Sequence, residues 1–421
     1  MSIATVANDI ASQQEFLRPK LELLYMSSSR LWKFIKSRTD VKAVSNRPAR
    51  IPYEVLAGGK FRVANFDGPS QGRGSGTQQT FGQLSCVSFT YAWEYTALAE
   101  WSTDSNTKAV EDYVSTQNKR AAAGFAAYMD SLVCYGDSAN TLDTVVSTTT
   151  NGIVVNNANA FQDNQDIDIW SALSAGSFVA TVTILSVDVG NNTIWLTGAV
   201  PAGTTTGYFL LVSGSAGVVG SGLAGLKAYN VGGNAGQYMG IQRSSFPGKF
   251  STPTNSAGGA LTPAAVRAIA GQVKLAMSIE RAEEADLRPH CNLDQQAAWE
   301  NIALLVQHVI ANEVKGDQAT DMLRKDSPTM MGGREMIPNE RAIPGRIDWL
   351  SIANWWRIET SPFGYYSVAG QTVFPAYGAD GGVATSMLFY LKQVCQVGAS
   401  QPRLNAVQSN LTIPKGWFGH S

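Results

Sequence analysis

A few residues in this chain could do chemistry by type and spacing. Gly68-Pro69-Ser70-Gln71-Gly72 matches the Gly-x-Ser-x-Gly pattern of a nucleophile turn. That pattern exposes a serine only where a strand turns sharply into a helix. Here more glycine follows, so a loop tip is the plainer reading. Gly220-Ser221-Gly222-Leu223-Ala224-Gly225 matches a dinucleotide fingerprint. The fingerprint needs a helix opening at its glycines and an acid about twenty residues on. Gly232-Gly233 comes too soon for that helix, and Ser244-Ser245-Phe246 supplies no acid. A linker is therefore predicted there.

Metal and ligand candidates are equally thin. His290, His308 and His420 form no ligand spacing, and Cys86, Cys134, Cys291 and Cys395 are scattered with no CxxC pair. Reduced, buried thiols are expected. Asp163, Asp166 and Asp168 could gather oxygens for calcium but lack an EF-hand glycine and terminal glutamate. Trp170, Trp195 and Tyr208 could stack on sugars, or simply pack a core. We assign no catalytic, cofactor or metal residue.

What must position these residues is clearer. Val87, Phe89, Tyr91, Trp93, Tyr95, Ala97, Ala99 and Trp101 share one parity, and Ser88, Thr90, Glu94, Thr96 and Glu100 the other. Such alternation predicts a long half-buried strand. Upstream, Ile51–Leu56 and Lys60–Phe66 read as two more strands joined at Gly58-Gly59, and Asp67–Gln79 is a polar, Gly-rich tip. An arm of this kind cannot bury both faces alone. Downstream, Val110, Val114, Ala121, Phe125, Tyr128, Leu132 and Tyr135 give a helical stripe over 109–135, with Asp112, Lys119, Arg120 and Asp130 opposite and Gly136 as its stop.

An extended hairpin running into a long helix resembles the E-loop and spine helix of tailed-bacteriophage major capsid proteins of the Hong Kong 97 type. The resemblance implies an α+β fold in five parts: an N-terminal arm (1–46), an E-loop (47–101), the spine helix (102–139), an inserted β-barrel or sandwich (140–235), and the axial and remaining peripheral domains (236–421). The insertion is read from short strands at Gly152–Val155, Ile167–Trp170, Phe178–Ile184, Thr193–Thr197 and Tyr208–Val212. Helices are expected from Pro263 to about Glu284 and from Asp294 to about Gly316, with a helix or strand around Ala384–Leu391. In the arm, helical spacing is read at Phe16–Tyr25 and at Leu31, Trp32, Phe34 and Ile35.

The implied function is a shell subunit that forms hexamers and pentamers around double-stranded DNA. An encapsulin-like compartment, or a carbohydrate-binding or hydrolytic enzyme with a β accessory domain, are the rival readings. Implied partners are the chain itself, a separate scaffolding protein, a portal, non-specifically held DNA and a decoration protein, with assembly in the bacterial cytoplasm. No membrane partner is expected, because no run of about eighteen apolar residues occurs. Charged residues are only 15% of the chain, which suits a surface covered by copies of itself. Net charge is −1, yet Met1–Arg62 carries eleven Lys and Arg against five Asp and Glu. Arg30, Lys33, Lys36 and Arg38 are therefore expected to face the interior, toward DNA or scaffold, with pairing to acids of neighbouring subunits as the alternative. Lys60, Arg62, Arg73, Tyr91 and Trp93 are expected at inter-subunit contacts. The insertion is acidic and is expected to face outward, to fold on its own and to be dispensable for the lattice.

Overall fold

In the computed structural model, residues 29–38, 48–56, 58–59, 75–96, 107–246, 248–280, 286–302, 330–368, 370–377 and 383–413 are described. The expected helix at Phe16–Tyr25 lies outside them. At Leu31–Ile35 the chain makes one 3-10 turn, Trp32–Phe34, and not a helix. Tertiary bonds override the local preference there. Asp130 takes the amides of Leu31 and Trp32, and Arg357 donates to the Ile35 carbonyl at 2.9 Å. Leu31, Trp32 and Ile35 are buried as a plug. Lys36–Ser37 (β1) then pairs in parallel with Trp356–Arg357.

Ala49–Leu56 (β2) pairs antiparallel with Gln78–Leu84 (β3), from Ala49↔Leu84 to Leu56↔Gln78. The hairpin pairing thus runs out to Leu56 and Gln78, and Gln78 and Gln79, read as part of the polar tip, belong to the strand. The strand expected at Lys60–Phe66 lies outside the described residues. Ala49, Ile51, Val55 and Leu84 face inward and are buried; Pro52, Leu56 and Phe81 face out. The base is pinned to the body. Tyr53 Oη donates toward Ala399 O at 3.2 Å and meets Met239 Sδ at 3.0 Å, and Gln83 N donates to Met239 O.

Val87–Thr96 (β4) keeps the predicted alternation: Val87, Phe89, Tyr91 and Trp93 are half-buried, while Ser88, Thr90, Ala92 and Glu94 are exposed. Its partner differs from the expected arm. It pairs with Val383–Ala399, from Val87↔Cys395 to Thr96↔Ser386. The other flank of Val383–Ala399 takes Trp355–Tyr365 and Val373–Tyr377. That long strand lies some three hundred residues downstream of β4, and sequence periodicity carries no information about so distant a partner.

The long helix, Thr107–Tyr135, lies on this sheet through Phe125 against Phe363 and Tyr128 against Tyr91. Gly136 closes it with φ +44° and an N–H bond to Leu132 O. Asp130, placed on the polar face by the sequence, is fully buried. The chain then enters a closed barrel of Thr141–Thr148 (β5), Gly152–Val155 (β6), Asp166–Trp170 (β7), Phe178–Asp188 (β8), Thr193–Leu196 (β9) and Phe209–Val212 (β10), ordered β10-β5-β6-β9-β8-β7. Val145, Ile153, Ile167, Ile184, Ile194 and Leu210 fill it, and its core is continuous with that of the helix and sheet.

After the barrel, Pro263–Glu280 forms a helix capped by Thr262 Oγ1, which accepts from Ala265 N at 3.2 Å. Val266, Ile269 and Val273 bury its predicted stripe. They pack in a second core with a five-stranded sheet ordered Thr254–Asn255, Ala406–Gln408, Ile347–Ser351, Leu287–Cys291 and Ile337–Pro338. The next helix is described over 293–302, and its expected continuation to Gly316 lies outside.

Candidate assembly surfaces

Lys60, Arg62 and Arg73 lie outside the described residues, as do Ser70, His308 and His420. Tyr91 and Trp93 are placed. Trp93 stacks on Phe389 with centroids 4.3 Å apart, within its own sheet. Tyr91 leans over the helix at Gly124, where a Cβ would sit 3.3 Å from its Oη. Burial raises the Tyr91 phenol above its ordinary value. Both rings therefore pack inside the subunit while their strand keeps one edge outward.

The four basic residues of the arm separate. Arg30 is exposed and 3.8 Å from Glu340. Arg38 lies over the Trp356 ring at 5.2 Å. Lys33 and Lys36 are exposed and make no ion pair among the described residues; Lys33 sits 5.2 Å over Phe34, which Arg288 also covers. Arg288 itself is tied to Glu335 and Asp286. Free positive charge on this face thus rests on Lys33 and Lys36.

A cluster that the sequence did not reveal looks more like chemistry. Cys134 Sγ is 3.6 Å from His290 Nε2, and Asn339 Nδ2 is 3.2 Å from both. Asn339 also donates to Asp130 Oδ2 at 2.7 Å. Cysteine, histidine and asparagine together suggest a thiol nucleophile. The environment says otherwise. All four side chains are buried. Burial, reinforced by Asp130, pushes the Cys134 thiol well up, and burial pushes the His290 imidazole down. A neutral thiol beside a neutral imidazole, closed to solvent, is a lock. It joins the arm plug, the long helix and the second sheet. No short-range signal could have found it, since its members span Leu31 to Asn339.

The other motifs resolve into structure. Around Gly220–Gly225 the chain leaving the barrel crosses the end of the long helix. A Cβ at Gly225 would lie 2.4 Å from Val133 O, and one at Gly222 the same distance from Asn140 N. The glycines permit close backbone passage, so the stretch is tightly packed and not the loose linker expected. A helix does open there, but only over Leu226–Tyr229. Asp163, Asp166 and Asp168 each accept from their own barrel, from Val187 N, Thr183 Oγ1 and Thr181 Oγ1. Among the described residues no three His, Cys, Asp or Glu are grouped to hold a metal ion. Trp170 packs edge-on to Phe178, whereas Trp195 is 40% exposed.

Lys227 gives a pH prediction. Its Nζ sits 3.4 Å from the Tyr135 ring centroid at a cavity of about 250 Å³ shared with Asp143 and Arg341. Burial pushes its ammonium down to about 8, opposed by Asp137 and Asp143 and helped by Arg346. Below pH 8 both folded and unfolded chains hold the proton, and the full cost of burying the charge is present. From about 8 up to the ordinary value of 10.5 only the unfolded chain holds it, so stability from this group rises with pH. Lys227→Met should therefore be more stable than wild type at pH 7, by about 2 kcal/mol. The gap should close as the pH approaches 10. Denaturant melts of both proteins across that range check this.

No family model matches the sequence, and no curated protein matches it. Solved structures do. The capsid asymmetric unit of cyanophage A-1(L) aligns with TM-score 0.52 at 13% identity, covering 90% of this chain and 92% of that one. The capsid of an empty GTA particle aligns with TM-score 0.46 at 9% identity, over 91% and 90% of the two chains. Gordonia phage Cozz gives 0.45 at 7%, over 92% and 87%. The chain has the α+β capsid-subunit fold of the Hong Kong 97 type.

Proposed function

We propose that this chain is a major capsid protein. It self-assembles into hexamers and pentamers of an icosahedral shell that encloses double-stranded DNA. The observation that carries the reading is the capsid-subunit likeness to the cyanophage chain over nine-tenths of both chains. The open hairpin supports it: Phe81 is 55% and Leu56 52% exposed on one outward face, a surface that copies of the chain would cover. In this reading the hairpin is the E-loop, and Lys60, Arg62 and Arg73 lie in the contact between neighbours. A scaffolding protein, a portal and a decoration protein are the further partners, and assembly takes place in the host cytoplasm.

Electron microscopy of the purified full chain tests the reading. Closed shells are expected, and in infected or producing cells they should contain genomic DNA. A monodisperse monomer at high concentration would overturn it, and shells that never hold DNA would favour a compartment instead. Lys33 and Lys36 are assigned to the interior. Reversing both to Glu should leave shells intact but lower DNA retention about tenfold in low salt, because lost phosphate contacts release fewer counterions. Retention equal to wild type, measured on nuclease-treated particles, would put these lysines elsewhere.

A further inference from the structure

We propose that the cavity where the barrel meets the second core binds a small oxyanion, a carboxylate or a phosphate, held by Lys227 and Arg341. The inference concerns the folded subunit and stands apart from the assembly reading above.

The cavity measures about 250 Å³, and three parts of the chain line it. Tyr135 comes from the end of the long helix, Asp143 and Thr144 from β5, and Arg341 from the loop before Ile347–Ser351. Lys227, on the short helix Leu226–Tyr229, lays its ammonium on the Tyr135 ring. Two cations therefore line a space smaller than the usual site of a drug-sized ligand. Leu142, Ile343 and Pro344 add an apolar side, which suits a short carbon body on the anion.

The charges around Lys227 leave its ammonium without a carboxylate of its own. Asp137, Asp143 and Asp348 surround it, yet among the described residues none is within ion-pair distance. Asp348 holds Arg346 and takes Asn230 Nδ2. Asp143 accepts from Thr144 N, Asn156 Nδ2 and Asn157 N. Asp137 Oδ1 accepts from Ala139 N at 2.9 Å, while its buried Oδ2 has no partner. Asp137 lines a second cavity, of about 510 Å³, that Lys227 also reaches, so it is the competitor for this lysine. Arg341 is open in turn: Nη1 pairs with Glu340, and among the described residues Nε and Nη2 bond to nothing. An ammonium beside an open guanidinium edge is a pairing that recognises carboxylates and phosphates. A buried charge needs a partner, and one anion here would serve both cations.

Such an anion would also pin the barrel to the second core. Asn157 already donates to Glu340 O and Ala342 O, the carbonyls on either side of Arg341. Binding must then depend on pH. Burial pushes the lysine ammonium down to about 8, and a bound anion holds the proton on it. The charged groups facing Lys227 are Asp137, Asp143, Asp348 and Arg346, with Arg341 and its partner Glu340 across the cavity. Tyr135 keeps its proton, because burial raises its phenol. Affinity should therefore fall about tenfold for each pH unit above 8.

Equilibrium dialysis of the full-length chain tests this, with radiolabelled inorganic phosphate and radiolabelled butyrate as probes at pH 7 in a chloride buffer. One probe or both should bind saturably, at one equivalent per chain. Phosphate alone marks the ligand as a phosphate, and butyrate alone as a carboxylate. Lys227→Met should lower the affinity about a hundredfold and Arg341→Gln about tenfold. Denaturant melts of the same samples report whether the variants are folded. Where a variant is not, the pH series on wild type decides alone. If neither probe binds at about 10 mM, the inference is overturned. Binding unchanged by Lys227→Met, or unchanged between pH 7 and 10, overturns it too. So does binding that appears only in Asp137→Asn, since Lys227 would then be the partner of Asp137.

Discussion

Asp130→Ala should lower the free energy of unfolding by about 3 kcal/mol and release the arm from the body. The carboxylate is fully buried and serves three donors: Leu31 N and Trp32 N at 2.8 Å each, and Asn339 Nδ2 at 2.7 Å. Two of these are main-chain amides at the start of the plug. Removing the acceptor leaves them dry and unpaired, which costs more than the bonds themselves contribute. Arg357 over Trp32 and its bond to Ile35 O would remain, but they hold the other end of the plug. Hydrogen exchange should show the Leu31 and Trp32 amides exchanging at nearly the unfolded rate while the barrel amides stay protected. Protection unchanged at both amides would show that the plug does not depend on this carboxylate. Asp130→Asn keeps one acceptor oxygen and should fall between the two.

Arg243→Met is the second large effect, expected at about 4 kcal/mol. The guanidinium is buried, and among the described residues no carboxylate pairs with it. It donates instead to four main-chain oxygens: Val231 and Phe250 through one terminal nitrogen, Ala228 and Tyr229 through the other. Its plane lies 5.5 Å from the Tyr238 ring. These bonds gather the irregular chain from Ala228 to Phe250, which otherwise has few regular partners. Burial pulls the guanidinium below its ordinary value, but at neutral pH it keeps its charge. Methionine fills the volume and removes the guanidinium donors from all four carbonyls, of which Val231 O keeps Thr252 N and Tyr229 O keeps Thr252 Oγ1. Lysine keeps the charge but has a single nitrogen and cannot span both pairs. Chemical denaturation should rank wild type, Lys and Met in falling order. A lysine variant as stable as wild type would mean that charge alone, and not the fork, holds the loop.

How much of this could be read from the chain depends on distance along it. Alternation found β4, because a half-buried strand writes its two faces into neighbouring residues, and short apolar runs between turn residues found five barrel strands. The sixth, Thr141–Thr148, was missed because Leu142 stands alone among Thr141, Asp143 and Thr144, and only Val145 and Val146 form an apolar run. The two helices with apolar stripes, Thr107–Tyr135 and Pro263–Glu280, were legible for the same local reason. Pairing was not. β2 meets β3 across a tip of more than twenty residues, and β4 meets a strand near the end of the chain. The polar lock was hidden altogether. Asp130 sits in the helix among residues that look solvated, and only the plug and Asn339, far away in sequence, make it an interior group. Arg243 likewise looks like an ordinary surface cation within a Gly-rich stretch.

The backbone crosses itself where the barrel begins and ends. Ser138 N donates to Leu223 O, Gly225 N donates to Gly136 O, and Asp137 bridges to Ala224. Eighty-odd residues therefore start and finish at one doorway. A gene could gain or lose that length in a single event and still leave the end of the helix beside the start of the following loop. Foreign domains with neighbouring termini could be grafted at the same doorway and carried by the subunit. Such a graft would keep the subunit's path but forfeit the bonds from Asn157 to the carbonyls of Glu340 and Ala342 and from Gln162 to that of Gly124, so the subunits most freely regrafted should also be the least stable.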